Sequence, residues 1–122
     1  MSTVITVSTV STQSRRLTSR VETDGNVWVF WECNKRDGLS RVRNLGSGGL
    51  FVETSLQLPK GLRARLHFLV PEGQIRAEAV IRHGKPSEGL GMKFTAVNDS
   101  DRPQLTALLT RMRRIHHSKA NP

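Results

Sequence analysis

Arg63-Ala64-Arg65-Leu66-His67-Phe68-Leu69-Val70 is the stretch whose reading decides the fold. Ala64, Leu66, Phe68 and Val70 fall on one side of an extended chain, and Arg63, Arg65 and His67 on the other. A period of two is the signature of a β-strand with one face on a core and one in water. The turn Pro71-Glu72-Gly73 leads into a second such run, Gln74 to His83, in which Ile75, Ala77, Ala79 and Ile81 alternate with Gln74, Arg76, Glu78 and Arg82. After Gly84-Lys85-Pro86-Ser87-Glu88-Gly89, Leu90, Met92 and Phe94 face away from Gly91, Lys93 and Thr95. Half-buried strands joined by short turns predict an antiparallel barrel or sandwich.

Upstream, Val27-Trp28-Val29-Phe30-Trp31 is β-branched and aromatic and closes on the turn-forming Asn34-Lys35-Arg36-Asp37-Gly38. Strands at Ser40 to Leu45 and Leu50 to Thr54 then bracket Gly46-Ser47-Gly48-Gly49, whose glycines allow close approach of backbone to a ligand. Downstream the period changes. Leu105, Leu108, Leu109, Met112 and Ile115 repeat at helical spacing behind Asn98-Asp99-Ser100-Asp101, with Pro103 in the first turn. One amphipathic helix is expected to lie on the barrel, its last turn rich in Arg111, Arg113, Arg114, His116, His117 and Lys119.

The 122 residues suffice for one domain, read as spanning 15–117 between an N-terminal tail (1–14) and a C-terminal tail (118–122). The Ser/Thr/Arg content of the first residues also matches a mitochondrial transit peptide, a reading the later motifs disfavour. Nineteen Lys and Arg (19) against 10 Asp and Glu give a net charge of +9, so the natural partners are polyanions: nucleotides, nucleic acids or acidic membranes. The single cysteine, Cys33, excludes a disulfide framework and reads as a buried thiol. No apolar stretch reaches transmembrane length, so a cytoplasmic chain without membrane insertion is expected. No metal or other cofactor is expected, because His67, His83, His116 and His117 lack the spacing of a metal site. Ser47 has no strand-to-helix elbow after it, so an enzyme is not expected.

Two elements carry chemistry. Arg16 and Arg20 stand four apart in Arg15-Arg16-Leu17-Thr18-Ser19-Arg20, read as a loop before the first strong strand. A guanidinium donates two parallel hydrogen bonds to a phosphate or to a guanine edge and stays charged at physiological pH. The second element is Asn44-Leu45-Gly46-Ser47-Gly48-Gly49, where an amide side chain and exposed backbone N–H groups suit a base edge. In this order, the two resemble the PilZ family, whose signatures are an Arg-x-x-x-Arg loop and an Asp/Asn-x-Ser-x-x-Gly turn. Gly49-Leu50-Phe51-Val52-Glu53-Thr54, Pro59-Lys60-Gly61 and Gly89-Leu90-Gly91-Met92-Lys93-Phe94 add to the resemblance, which covers roughly residues 15 to 115.

The resemblance implies a mainly β fold, a six-stranded antiparallel β-barrel with a C-terminal α-helix, that binds cyclic di-GMP near the N-terminal loop. Carried over by position, Arg16 and Arg20 grip guanine edges and phosphates, Asn44 bonds the second guanine, Gly49 leaves room for the ligand, and Arg15 adds a phosphate contact. Gly46 stands where the family usually has Ser, so a hydroxyl contact worth about 0.5–1.5 kcal/mol is missing. Ser47, one place along, points to the opposite face of an extended chain and is a poor substitute. The expected function is a receptor or adaptor whose N-terminal loop changes conformation on binding and signals to a protein effector. Two alternatives stay open. One is a protein-interaction module of the same fold without nucleotide binding; the other is a basic barrel that stacks single-stranded nucleic acid on Trp28, Phe30 and Trp31, the less favoured because such a run is more often core.

Overall fold

The alternating strand at Arg63 sits within an antiparallel sheet that closes on itself. The computed structural model describes residues 20 to 23 and 25 to 120, with side chains through residue 114. In chain order the elements are β1 (Val21–Glu22), β2 (Trp28–Cys33), β3 (Arg36–Leu45), β4 (Gly49–Glu53), β5 (Arg63–Leu69), β6 (Ile75–Lys85), β7 (Gly89–Val97), a 3-10 turn (Asp99–Asp101) and α1 (Arg102–Ala120). The sheet runs β3-β2-β5-β6-β7-β4, and β4 pairs back onto β3, closing a six-stranded barrel to which β1 adds a short seventh strand. Closure removes the unpaired edges that an open sheet would expose.

The β2–β3 hairpin is tighter than composition suggests. Only Asn34 and Lys35 form the turn, with φ of 52° and 68°, while Arg36, Asp37 and Gly38 already pair within β3. Two left-handed residues match the right-handed twist of the flanking strands, so a longer loop is unnecessary. Gly38 lies opposite Trp31, and a Cβ there would sit 2.8 Å from the Trp31 ring, so glycine makes room for the largest core side chain. The Trp31 indole N–H donates to Ser40 Oγ at 2.9 Å, which satisfies two polar groups inside the barrel.

Alternation splits the aromatic run between two environments. Trp31 joins Val29, Cys33, Val42, Leu66, Phe68, Ile81 and Met92 in the core, and burial pushes the Cys33 thiol pKa up. Phe30 faces outward, and Trp28 is half-buried beneath Arg41, whose guanidinium lies 5.1 Å from the ring centroid. The run is therefore not uniformly core.

α1 packs against β1 and β6 and adds Leu105, Leu108, Leu109 and Met112 to the same core. Two ion pairs fix it. Asp101, buried where the helix begins, accepts from the Arg76 backbone N–H at 3.0 Å, from its Nε at 2.8 Å and from its Nη2 at 3.3 Å. A buried carboxylate is tolerated only when its lone pairs are met in this way. Farther along, Arg111 forms a two-pronged pair with Glu72. Asn98 caps the 3-10 turn, its Oδ1 accepting from Ser100 N at 3.1 Å. The helix continues to Ala120, so residues 118–120 are helical where a tail was expected. The N-terminal tail, Arg15 and Arg16, and residues 121 and 122 lie outside the described residues.

Candidate functional site

The candidate site forms where β1 meets the end of β3. Val21 pairs with Leu45 and Glu22 with Asn44, and the Thr23 backbone N–H donates to Arg43 O at 3.0 Å. This pairing delivers Arg20 to the turn between β3 and β4. Arg20 thus stands directly before β1. From there its guanidinium crosses to β7, where Nη2 donates to Met92 O at a long 3.5 Å. Burial pushes its pKa down, yet a guanidinium remains charged under physiological conditions. An exposed, weakly bonded cation keeps donor capacity for an anionic or base-edge acceptor.

Asn44 is paired on both sides, with Glu22 of β1 and Phe51 of β4, beside a bulge between Val42 and Asn44. Its Oδ1 is buried and has no hydrogen-bond partner among the described residues. Such an acceptor typically costs about 1–3 kcal/mol, which a donor on a bound molecule would offset. Bulges re-aim side chains near functional sites.

The backbone around Gly46 and Gly49 is engaged within the turn and with β7. Gly46 N–H donates to Gly49 O at 2.9 Å, and Gly48 O accepts from Phe94 N at 2.9 Å, so these groups hold the turn and the β4–β7 seam together. A Cβ on Gly49 would fall 2.2 Å from Met92 O and 3.1 Å from Arg20 Nη2. The close neighbours that glycine accommodates at position 49 are thus β7 and the Arg20 side chain. Gly46 is buried, and Ser47 is exposed at the tip of the turn.

Sequence reading missed a second layer around Asn44. Phe51 points away from the core yet is only 4% exposed, because Arg43 lies 5.2 Å and Lys85 Nζ 5.8 Å from its ring centroid and His83 packs at 6.2 Å. Arg43 also bonds Glu53 at 3.4 Å and Glu88 at 3.3 Å. Gly89 and Gly91 of β7 leave the space into which Phe51 and His83 settle. The alternation of β4 marks Phe51 as outward-facing, but its cover comes from two other strands, β3 and β6. Arg20 and Lys93, which pairs with Gly49, add two further cations near Asn44, while Glu22 lies opposite Asn44 and Glu53 and Glu88 are paired with Arg43. Among the described residues, no group of His, Cys, Asp and Glu is arranged to hold a metal ion.

No curated protein matches the chain. Among solved structures, the Bacillus subtilis inhibitor of motility (MotI/DgrA) superposes with a TM-score of 0.64 at 27% identity, covering 83% of this chain and 52% of that one. This chain thus corresponds to about half the length of that protein. A family model described as PilZ domain matches residues 14–111, which takes in the Arg16/Arg20 pair, the Asn44 turn, the barrel and the start of α1. The chain belongs to the PilZ domain family.

Proposed function

We propose that this protein is a cyclic di-GMP receptor that acts on a protein effector and catalyses no reaction. The observation that carries the reading is the convergence of Arg20, the orphaned Asn44 Oδ1 and Gly49 at one end of the barrel. Cyclic di-GMP presents both chemistries such a site would take: guanine edges and two phosphates for guanidinium forks, and N–H donors for the Asn44 carbonyl. Arg15 and Arg16 are proposed to complete the grip, with Arg20 and Asn44 on the base edges and Gly46 and Gly49 shaping the turn. The PilZ family is one of cyclic di-GMP receptors and adaptors, and the description of the similar Bacillus protein as an inhibitor of motility suits action by binding rather than by catalysis.

Ligand binding is proposed to change the conformation of the segment leading into Arg20 and so alter the surface a partner meets. A ligand shifts such an equilibrium only through contacts that differ between the two states, and the arginines supply them. The test is calorimetric titration with cyclic di-GMP, with GTP and a short single-stranded oligonucleotide for comparison, alongside amide exchange over residues 10 to 22. Saturable, selective binding with slowed exchange supports the reading. Silence toward the dinucleotide refutes the receptor, and unchanged exchange at saturation refutes the conformational step. Gly46 in place of the family serine favours one second reading, a PilZ-fold interaction module that binds no nucleotide; silence toward every ligand would support it.

A further inference from the structure

We infer that the His83 ring is a stacking platform for a purine, a further binding residue of the dinucleotide site that takes the base Asn44 does not reach. The inference deepens the receptor reading and rests on it. Strand register puts the ring within range. Asn44 pairs with Phe51, Phe51 with Gly91, and Gly91 with His83, so the four form one row across β3, β4, β7 and β6. Neighbouring strands lie about 4.8 Å apart, which places Gly91 about 10 Å from Asn44. A cyclic dinucleotide carries two bases on one ring of sugars and phosphates, so one base meets Asn44 while the other lies farther along the row.

The ring lies flat on the sheet. A Cβ added to Gly91 would fall 2.4 Å from Cε1, 2.7 Å from Nε2 and 2.9 Å from Nδ1 of His83. Three ring atoms at nearly the same distance from one point put that point over the ring face rather than off its edge. Gly91 therefore seats one face of the imidazole, and because His83 is exposed the opposite face is turned to solvent. Phe51 lies beside the ring rather than beneath it, with centroids 6.2 Å apart and planes inclined by 35°. Among the described residues, no hydrogen bond or ion pair engages the imidazole.

A flat ring open on one side stacks on a base, because every base offers a π-face. Its neighbours fit the rest of a nucleotide. A Cβ on Gly49 would fall 3.1 Å from Arg20 Nη2, and Gly49 pairs with Lys93, an exposed residue two places from Gly91 on the same strand. Two strand residues span about 7 Å, so Arg20 and Lys93 stand beside the platform, where a phosphate attached to a stacked nucleoside falls. The nearby carboxylates are placed elsewhere: Glu53 and Glu88 pair with Arg43, and Glu22 lies past Asn44 at the far end of the row. Other outward rings do not share this row. Trp28 is under Arg41, and Phe30 stands on β2 between Leu39 and His67.

The test is calorimetric titration of the full chain and of two His83 variants with cyclic di-GMP, joined to proton NMR of the imidazole signals. His83→Ala should weaken binding by about fivefold or more, the loss expected for one stacked base. His83→Phe keeps a flat ring without its nitrogens and should hold affinity within about twofold of wild type. In the wild-type chain the His83 ring signals, identified by their loss in His83→Phe, should shift on binding and show Overhauser effects to protons of the bound base. The side chain is exposed, so both variants should keep the wild-type unfolding curve. Unchanged affinity in His83→Ala, an equal loss in both variants, or a saturated complex without Overhauser effects between ring and base would each overturn the proposal. Binding that Arg20→Ala weakens and His83→Ala leaves alone refutes this inference and spares the receptor reading, whereas a wild-type chain silent toward cyclic di-GMP refutes both.

Discussion

Replacing Gly49 with alanine tests the seam on which the candidate site is built. Gly49 pairs with Lys93 at one end of the β4–β7 ladder, Gly89 with Glu53 at the other, and Gly91 with Phe51 between them. A Cβ would meet Met92 O at 2.2 Å from position 49 and Val52 O at 2.0 Å from position 89. Both obstacles are backbone carbonyls, so relief requires the strands to part and strains neighbouring bonds such as Phe94 N–H to Gly48 O. From position 91 the nearest atom is Cε1 of the exposed His83 ring, at 2.4 Å, and that ring can swing aside. Overpacking of a well-fitted site costs about 1–3 kcal/mol, so Gly49→Ala and Gly89→Ala should each lower unfolding free energy by about that much. Gly91→Ala should cost less than about 1 kcal/mol, the scale of an off-rotamer side chain. Urea unfolding followed by far-ultraviolet circular dichroism measures all three. A Gly49→Ala cost below about 0.5 kcal/mol, the ordinary surface range, or a Gly91→Ala cost equal to it, would refute the reasoning.

Arg20→Ala should weaken cyclic di-GMP binding by about tenfold to more than a hundredfold, the range for losing a charged hydrogen bond of about 1.5–3 kcal/mol, and Gly46→Ser should tighten it by up to about tenfold. Calorimetry reads both, and unchanged affinity in the pair refutes the assignment. Trp31→Phe removes the indole donor and leaves Ser40 Oγ buried without it, at a cost of about 1–3 kcal/mol by urea unfolding; a neutral variant would show that the bond adds nothing. Stability should also fall in acid. Hydrogen bonds from Arg76 hold Asp101, and those from Arg111 hold Glu72, below their ordinary pKa values. A depressed folded pKa contributes stability that is full above the unfolded value, about 3.9 for Asp and about 4.3 for Glu, and is lost as pH falls through the folded value. Unfolding curves at pH 6 and below should therefore show a decline beginning near about pH 4 that Asp101→Asn with Glu72→Gln reduces. An equal decline in that variant would assign the acid sensitivity elsewhere.

Much of the fold was legible in local pattern. The alternation at Ala64, Leu66 and Phe68, and again at Ile75, Ala77, Ala79 and Ile81, names the inward face correctly, and the helical repeat from Leu105 to Met112 names the side of α1 that reaches the core. The Asn34–Lys35 turn was placed but drawn too long, because turn-forming residues extend into a strand when the hairpin is tight. The acidic run before α1 was legible as a helix start, not as the buried partner of Arg76, since that ion pair joins residues 25 apart. At the candidate site, Arg20, Asn44, Gly46 and Gly49 were visible as motifs. The Arg43, Lys85 and His83 cover on Phe51 was not, because no local spacing relates those strands.

By itself, the sequence determined the faces. Side-chain alternation follows from the geometry of an extended backbone, and helical period from that of a helix, so which residues are apolar together is written along the chain. Only the tertiary structure decided what those faces meet. Arg20 reaches Met92 across 72 residues of chain, and Asn44 lies between β1 and β4 because the barrel closes there. Closure depends on the register of many strand pairs at once, and that register is set by packing in three dimensions rather than by any short segment.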